Sequence, residues 1–398
     1  MALPKVCFIG LKCLDLLAGV ERPRYLGGVE KQLVFLASGL ARRGWHICMV
    51  SYDQGQGDAV ECGDVRVYRA YSREEGLYGL RFFHPRWSGL WEAMGRANAD
   101  IYYQMGAGCE TGQTALWCGS RNRRFVFAAA SDPDCLSGLP RLRLRRERFL
   151  CRFGIRAADA IVSQTGYQKG LLVREYGVDS DVIGGACPEP RGGLTSWRRT
   201  GSGHAPHVLW IGRICEVKRP ELVLDLAGRL PECIFDVIGD SNEQTAFARE
   251  FRRRAGAFAN VVLHGKVSEE HVDRAYSEAA LLMNTSSVEG FPVTFLEAWS
   301  RGIPAVSMVD PDGVIARHGL GAVGSDGASL AASVTRLLDN RAAWQACSAN
   351  ARSYYLANHT LDRALDAHES LFVSLARRAR RHSALARATR QPRQQASS

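Results

Sequence analysis

Ser286-Ser287-Val288-Glu289-Gly290-Phe291-Pro292-Val293-Thr294-Phe295-Leu296-Glu297-Ala298 sits between two short apolar runs, 281–285 and 303–308. The first run reads as a buried strand and Gly-Phe-Pro as a tight turn. Residues 291–301 then read as a helix whose first amides face a crevice. Glu289 falls in the turn and Glu297 about two helical turns further on. Strand, turn and helix in that order are the unit from which a parallel α/β sheet is built.

The same unit recurs on both sides of this stretch. Upstream come a strand at 207–212, a helix at 220–230 opened by Pro220, and a strand at 234–239. A helix at 243–255, a strand at 261–265 and a helix at 269–278 follow. From 328 to about 380 the pattern is wholly helical. The first half carries its own series. A strand at 5–10 leads into a loop, and Gly27-Gly28-Val29-Glu30 opens a helix with Val29, Leu33, Leu36, Ala37 and Leu40 on one face. That helix stops at Arg42-Arg43-Gly44, and strands are expected at 47–50, 100–104, 124–129 and 160–163. Between the two series lies a Gly/Pro/Ser stretch, Cys187-Pro188-Glu189-Pro190 through Gly203, the best linker in the chain. The expected architecture is two α/β domains, 1–190 and 206–345, joined by a linker at 191–205. Helices over 346–376 cross back to the first domain, and an arginine-rich tail, 377–398, is read as disordered. In such sheets the ligand lies outside the carboxyl ends of the strands, here in a central cleft.

Composition agrees and removes other classes. With 398 residues, 46% apolar, 23% charged, 40 Gly and 14 Pro, the chain is neither fibrous nor disordered as a whole. No apolar run approaches the roughly 18–20 residues of a membrane span. The apolar start is broken by Lys12 and Asp15, which argues against a secretion signal. The 12 cysteines are scattered without Cys-x-x-Cys, which fits buried thiols in a reducing cytoplasm and not zinc or disulfides.

Two elements of the second half carry chemistry. Gly212-Arg213 ends a strand, and Lys218 follows just before the helix at 220–230. A guanidinium fork and an ammonium at a strand tip suit phosphate oxygens, although two solvated loop cations read the same way. In the Glu289–Glu297 block, free amides suit a diphosphate and carboxylates suit sugar and ribose hydroxyls. A plain helix start with a dipole-complementing acid is the competing reading.

Taken together, Gly27-Gly28-x-Glu30, Gly212-Arg213…Lys218 and Glu289-Gly290-Phe291-Pro292…Glu297-Ala298 resemble glycosyltransferase family 4, retaining nucleotide-sugar transferases of the GT-B fold. The likeness runs from about 5 to 375. It implies two Rossmann-like domains facing a cleft. Arg213 and Lys218 match the pair on the donor diphosphate, and Glu297 matches the carboxylate on the ribose. Glu289, Gly290, Phe291, Pro292 and Val293 match the block on donor sugar and phosphate. Gly27 and Gly28 match the loop beside the reacting centre, and Val267, after His264-Gly265-Lys266, falls beside the nucleobase. The resemblance also implies catalysis by Arg213, Lys218 and Glu289 without metal or other cofactor. One departure stands out: many members carry a histidine where this chain has Ala129-Ala130-Ser131-Asp132-Pro133-Asp134, so Asp132 or Ser131 takes that place. The likeness is greatest to bacterial members of surface-polysaccharide assembly, which implies a saccharide or lipid-linked saccharide acceptor.

Other motifs carry less. Asp132-Pro133-Asp134 has the spacing of a metal-binding Asp-x-Asp, but that belongs to a one-unit fold. Asp310-Pro311-Asp312-Gly313 reads as a turn. Gly319-x-Gly321-x-x-Gly324 stands too far past its strand to bind a dinucleotide. His84 before Pro85 reads as loop packing. The net charge of +10 is confined: seven arginines without an acid lie in 377–398, and seven with only Glu147 lie in 141–156, leaving −3 elsewhere. Arg141, Arg145, Arg148 and Arg152 step at helical spacing beside Leu142, Phe149, Leu150 and Phe153. That pattern suits either attachment to an anionic membrane face or an ordinary solvated helix. The expected location is the cytoplasm, peripheral to the inner membrane face. A nucleotide-sugar epimerase of the same fold, or a basic nucleic-acid-binding protein, would be the competing functions. No nucleic-acid motif accompanies the patches.

Overall fold

A computed structural model describes residues 3–21, 23–25, 27–190, 205–240 and 245–390, the last twelve as backbone only. Two sheets carry the chain. The first holds β1 (Val6–Ile9), β2 (Ile47–Ser51), β3 (Ala59–Cys62), β4 (Val65–Arg69), β5 (Ile101–Met105), β6 (Arg124–Ala128), β7 (Ala160–Ser163) and β8 (Asp181–Val182) in the order 3-4-2-1-5-6-7-8. The second holds β9 (His207–Ile211), β10 (Ile234–Ile238), β11 (Val261–Gly265), β12 (Ala279–Asn284), β13 (Ala305–Ser307) and β14 (Gly321–Val323) in the order 11-10-9-12-13-14. All pairings are parallel except β3 with β4.

Central strands such as β1 and β12 are buried along their whole length, as apolar runs covered by helices on both faces must be. Each sheet has a core on either side. Leu33, Leu36, Ala37 and Leu40 of helix Gly28–Arg42 fill one such layer, as their spacing requires. Eight of the cysteines are buried and four are half-buried, and all are free thiols.

The chain does cross back. Helix Leu361–Arg390 lies against helix Gly28–Arg42, burying Leu365, Phe372 and Leu375 in the first domain's core. Arg43 pairs with Asp362 and Asp366 at 2.7 Å each, and the Trp45 indole donates to Glu369 at 3.0 Å. The crossover is at His359-Thr360. Cys187 donates its amide to the His359 carbonyl, and Tyr355 Oη donates to the Cys187 carbonyl at 3.0 Å. Helix Arg341–Asn358 therefore runs through the boundary expected at 345 and belongs to the second domain, with Trp344, Ala351 and Tyr355 in its cores.

Several local expectations change. Residues 191–204 of the linker and 391–398 of the tail lie outside the described residues. Up to Arg390 the tail continues the last helix. The helix expected from 243 begins at Ala246, capped by Thr245, and 241–244 lie outside the described residues. The arginine stripe is not one helix. Leu139 is left-handed (φ 43°) and Leu144 is extended (φ −90°, ψ 137°) at the N-cap, so the helix starts only at Arg145 and Arg141 lies on the loop before it. His84 is exposed, with Nδ1 2.8 Å from Ser88 Oγ, and is not packed into the loop. The packing there is done by Phe82, Phe83, Trp87 and Trp91.

Candidate functional site

A cleft of about 560 Å³ opens where the carboxyl ends of the two sheets meet. Asp132, Thr165 and Tyr167 line it from the first domain, and Glu289, Gly290 and Asp312 from the second. Each follows the tip of a strand: β6, β7, β12 and β13.

On the second domain, the turn Glu216–Lys218 is pinned to the loop after β12. Trp210 Nε1 donates to Thr285 Oγ1 at 2.9 Å, and that hydroxyl donates to the Lys218 carbonyl at 2.7 Å. Ser287 donates its amide to the Val217 carbonyl at 2.9 Å. These bonds set the Lys218 ammonium on the Glu289 carboxylate, which also accepts from Ser286 Oγ at 2.6 Å. Two residues expected at the diphosphate and at the sugar thus hold one another. Arg213 leaves the tip of β9 exposed, and no ion pair engages its guanidinium among the described residues.

The Gly-Gly loop meets the Glu289 block across the cleft. A Cβ on Gly28 would stand 3.2 Å from Val293 Cγ2. One on Gly290 would stand 2.5 Å from the Ala130 carbonyl oxygen and 2.9 Å from Ser131 Cα, so only glycine lets these backbones approach. Helix Val293–Trp299 opens there as expected, though two residues late. Phe291 is a core residue, its ring 4.7 Å from that of His359 and 6.0 Å from that of Trp299, which leaves only its backbone for a ligand. Pro292 has no amide to offer and shapes the turn.

Asp132 is the carboxylate that lines the cleft from the first domain. Burial, with the like charges of Asp312, Asp134 and Glu289 behind it, pushes its carboxyl up to about 6, while the Gln168 side-chain amide donating at 3.1 Å opposes the rise. Asp134 does not converge with it on a common point. Its Oδ2 accepts from the amides of Ala130 and Ser131 at 3.0 Å, so it serves the turn.

Two residues escaped the sequence reading. Lys31, next to the Gly-Gly-x-Glu loop, makes a largely buried ion pair with Glu297, which also accepts from Tyr276 Oη at 2.8 Å. Burial works to lower the Lys31 ammonium, and the charge and hydrogen bond of Glu297 outweigh it, holding it above its usual range. The carboxylate expected on a ribose therefore ties the two domains together. Each of its oxygens keeps a second lone pair for a hydroxyl. Val267 is half-buried against the core cluster that also holds Tyr276 and Phe295. The second residue is Asp312. The 310–313 segment is a turn as expected, but Asp312 (φ 52°) reaches across the cleft and accepts from the amides of Gly166 and Tyr167 at 2.7 and 2.9 Å. These are the first two amides of the first-domain helix Gly166–Tyr176, whose N-cap Thr165 accepts from the Gln168 amide.

Of the expected residues, Asp132, Glu289 and Gly290 line the cleft and Lys218 reaches it through Glu289; Arg213, Glu297, Gly28 and its neighbour Val293 do not line it. Among the described residues no group of three or more His, Cys, Asp or Glu could hold a metal ion, and no helix is long and apolar enough to cross a membrane.

Two parallel-sheet domains closing strand tips over one cleft define the GT-B architecture. A family model described as "Glycosyl transferase 4-like domain" matches residues 27–184, and one described as "Glycosyl transferases group 1" matches 205–340. The chain belongs to the glycosyltransferases of this group 1/4 type. Solved structures agree in fold. A sucrose-phosphate synthase from Thermosynechococcus elongatus is similar at TM-score 0.75 and 16% identity, over 94% of this chain and 99% of that one. Anabaena HepE, solved with UDP and glucose, is similar at 0.71 and 14%, over 93% and 100%. The lipopolysaccharide outer core galactosyltransferase WaaB, in its apo form, is similar at 0.63 and 16%, over 93% and 99%. A search of the curated proteins finds no match to this chain.

Proposed function

We propose that this glycosyltransferase moves a sugar from a nucleoside diphosphate to a saccharide or lipid-linked saccharide hydroxyl, with retained anomeric configuration, in cell-surface polysaccharide synthesis at the inner membrane face. The observation that carries the reading is the convergence of the Lys218–Glu289 pair, the Gly290 contact with Ala130–Ser131 and Asp132 on one cleft. HepE, a neighbour in fold, has been solved with UDP-glucose, which supports a donor of this class.

Arg213 and Lys218 would stabilise the charge that gathers on the leaving diphosphate, the largest single aid such a reaction can receive. The sugar–phosphate bond breaks, the acceptor oxygen bonds the anomeric carbon on the same face, and its proton passes to the diphosphate. Glu289 and the amides of Gly290, Phe291 and Val293 would hold the donor sugar and phosphate, with Glu297 on the ribose. Asp132 would stand near the donor sugar where relatives carry a histidine. The reading includes no metal, since Arg213 and Lys218 supply the positive charge. If EDTA abolished transfer and magnesium or manganese restored it, this part would fail.

A thermal-shift screen over UDP, GDP, ADP and TDP identifies the base, because a bound nucleotide raises stability by mass action. Product anomer analysis by NMR with the matching nucleotide sugar then tests retention. An inverted product would sink the mechanism.

A further inference from the structure

Two segments of the first domain, far apart in sequence, meet on one face, and their exposed large side chains are apolar. Between β4 and helix Ser88–Ala97, Leu77 is 74% exposed, Tyr78 94%, Leu80 61% and Phe83 59%. On helix Arg145–Ala157, Phe149 is 70% exposed. The two are joined, because the Arg146 guanidinium lies 4.4 Å from the centre of the Phe82 ring. Phe82 is buried, with Phe83 and Trp87 packed edge-on at 5.1 and 5.6 Å, so the loop rests on a built aromatic base.

Cations outnumber acids around these side chains, with Glu147 the acid on the helix side. Residues 76–91 contain Arg81 and Arg86 and no acid, although Glu74 and Glu75 come just before. Arg143, Arg145 and Arg146 are exposed on the helix side. Apolar side chains this exposed, rimmed by cations, mark a surface that something covers. Leucine and aromatic tips with an arginine rim suit the boundary between lipid headgroups and acyl chains. Among the described residues no spanning helix would do this work.

We propose that this face docks the first domain on an anionic bilayer leaflet. Leu77, Tyr78, Leu80, Phe83 and Phe149 enter the headgroup boundary, and Arg81, Arg143, Arg145 and Arg146 meet lipid phosphates. The sequence stripe is a different set, and most of it is occupied. Arg141 donates to Ser131 Oγ at 2.8 Å, Arg148 to the Leu142 carbonyl at 2.7 Å, and Arg152 to the Ser137 carbonyl at 2.6 Å. These three pin the loop over 137–142, and Arg141 ties that loop to Ser131, the neighbour of Asp132. The purpose of the docking, delivery of a lipid-linked acceptor, rests on the function proposed above, but its test needs no sugar.

The test is sedimentation of the full chain with vesicles of phosphatidylcholine alone and of equal phosphatidylcholine and phosphatidylglycerol. Wild type should bind the mixed vesicles, and vesicles should slow amide hydrogen exchange over 77–83. Leu77→Ser/Tyr78→Ser/Leu80→Ser/Phe83→Ser should cut partitioning at least about tenfold, with unchanged melting temperature and nucleotide binding. The cut should persist at about 0.5 M salt, where charge attraction by the tail is screened. Arg143→Glu/Arg145→Glu/Arg146→Glu should lose a similar factor at low salt, on the anionic vesicles only. Equal binding by the quadruple variant overturns the proposal. So does unprotected 77–83 exchange, or a dimer that the quadruple substitution dissolves while vesicle binding stays. Transfer to a soluble acceptor by a chain that ignores vesicles would overturn this inference alone. Vesicle binding without any donor turnover would overturn the glycosyltransfer reading alone.

Discussion

The two walls of the cleft are built on opposite principles. On the second domain two of the site's charged side chains are matched before any ligand arrives, Lys218 with Glu289 and Glu297 with Lys31 and Tyr276, while Arg213 stands exposed. On the first domain the approach is made by bare backbone at Gly28, Ala130 and Ser131, and the carboxylate that lines the cleft there, Asp132, sits among like charges. A matched wall is suited to a ligand of fixed charge such as a diphosphate, which can exchange for an internal partner. An unmatched carboxylate is suited to a group whose charge changes during reaction.

The sharpest way to break this contrast is Arg213→Ala. Removing a cation that faces developing charge should lower turnover by about a hundredfold or more, read as initial rates of nucleotide release. Lys218→Arg should also be poor, since a planar fork does not replace a point charge seated on Glu289. Near-normal rates in either would mean that the second wall is matched for structure and not for a donor.

Next comes the pair that joins the walls. Glu297→Gln leaves Lys31 largely buried with no counter-charge, and should cost about 3 kcal/mol in denaturant unfolding. Lys31→Met/Glu297→Gln should cost clearly less than the two single changes added, because neither charge is then stranded. Strict additivity would show that the pair does not couple the domains.

Asp132 offers the converse. Its carboxyl is raised in the fold from 3.8 to about 6, so its contribution to stability is present at low pH and is lost as pH rises through 6. Asp132→Asn should therefore be more stable than wild type at pH 8, by on the order of 1–3 kcal/mol, with the gap closing by about pH 4. The same variant should flatten any step near pH 6 in the rate profile. His359 and His368 have the opposite sign: burial pushes both down to about 4, so stability should fall as pH drops from 6.5 to 4. Melting temperatures across that range, with two extra protons bound on unfolding, check it.

What the sequence disclosed follows the same division. Strands β7 and β11 and helix Glu269–Glu278 lie where their local periodicity places them, and the Arg213…Lys218 and Glu289 segments were visible because each is contiguous. Lys31 and Asp312 were not. Their partners lie 266 and about 145 residues away, and neither residue carries a local signal beyond proximity to a glycine turn. The hairpin β3–β4 was passed over although Gly63-Asp64 is a plausible two-residue turn, because β3 is a half-buried edge with no apolar alternation. The arginine stripe misled for a physical reason. Spacing cannot report that Leu139 is left-handed, or that Arg148 and Arg152 spend their donors on nearby carbonyls.

The smallest effect expected is that of the tail. A chain ending at Ala376 keeps Leu365, Phe372 and Leu375, the side chains through which the last helix fills the first domain's core. Arg377 and Arg378 are already exposed, and the cut removes none of the core side chains of the described residues. Stability should change by no more than about 0.5 kcal/mol, the ordinary range for surface changes. Turnover on a soluble acceptor analogue should be nearly that of the full chain, since Arg43, Trp45 and their carboxylate partners at 362–369 remain. Vesicle binding should separate the two basic regions: at low salt the shortened chain should bind anionic vesicles more weakly, and above about 0.15 M salt the two should converge on the binding that the 77–83 face supplies. If shortening instead abolished transfer to the soluble analogue, the last helix would be shaping the cleft through the first domain, and the donor-side wall would no longer be the more finished of the two.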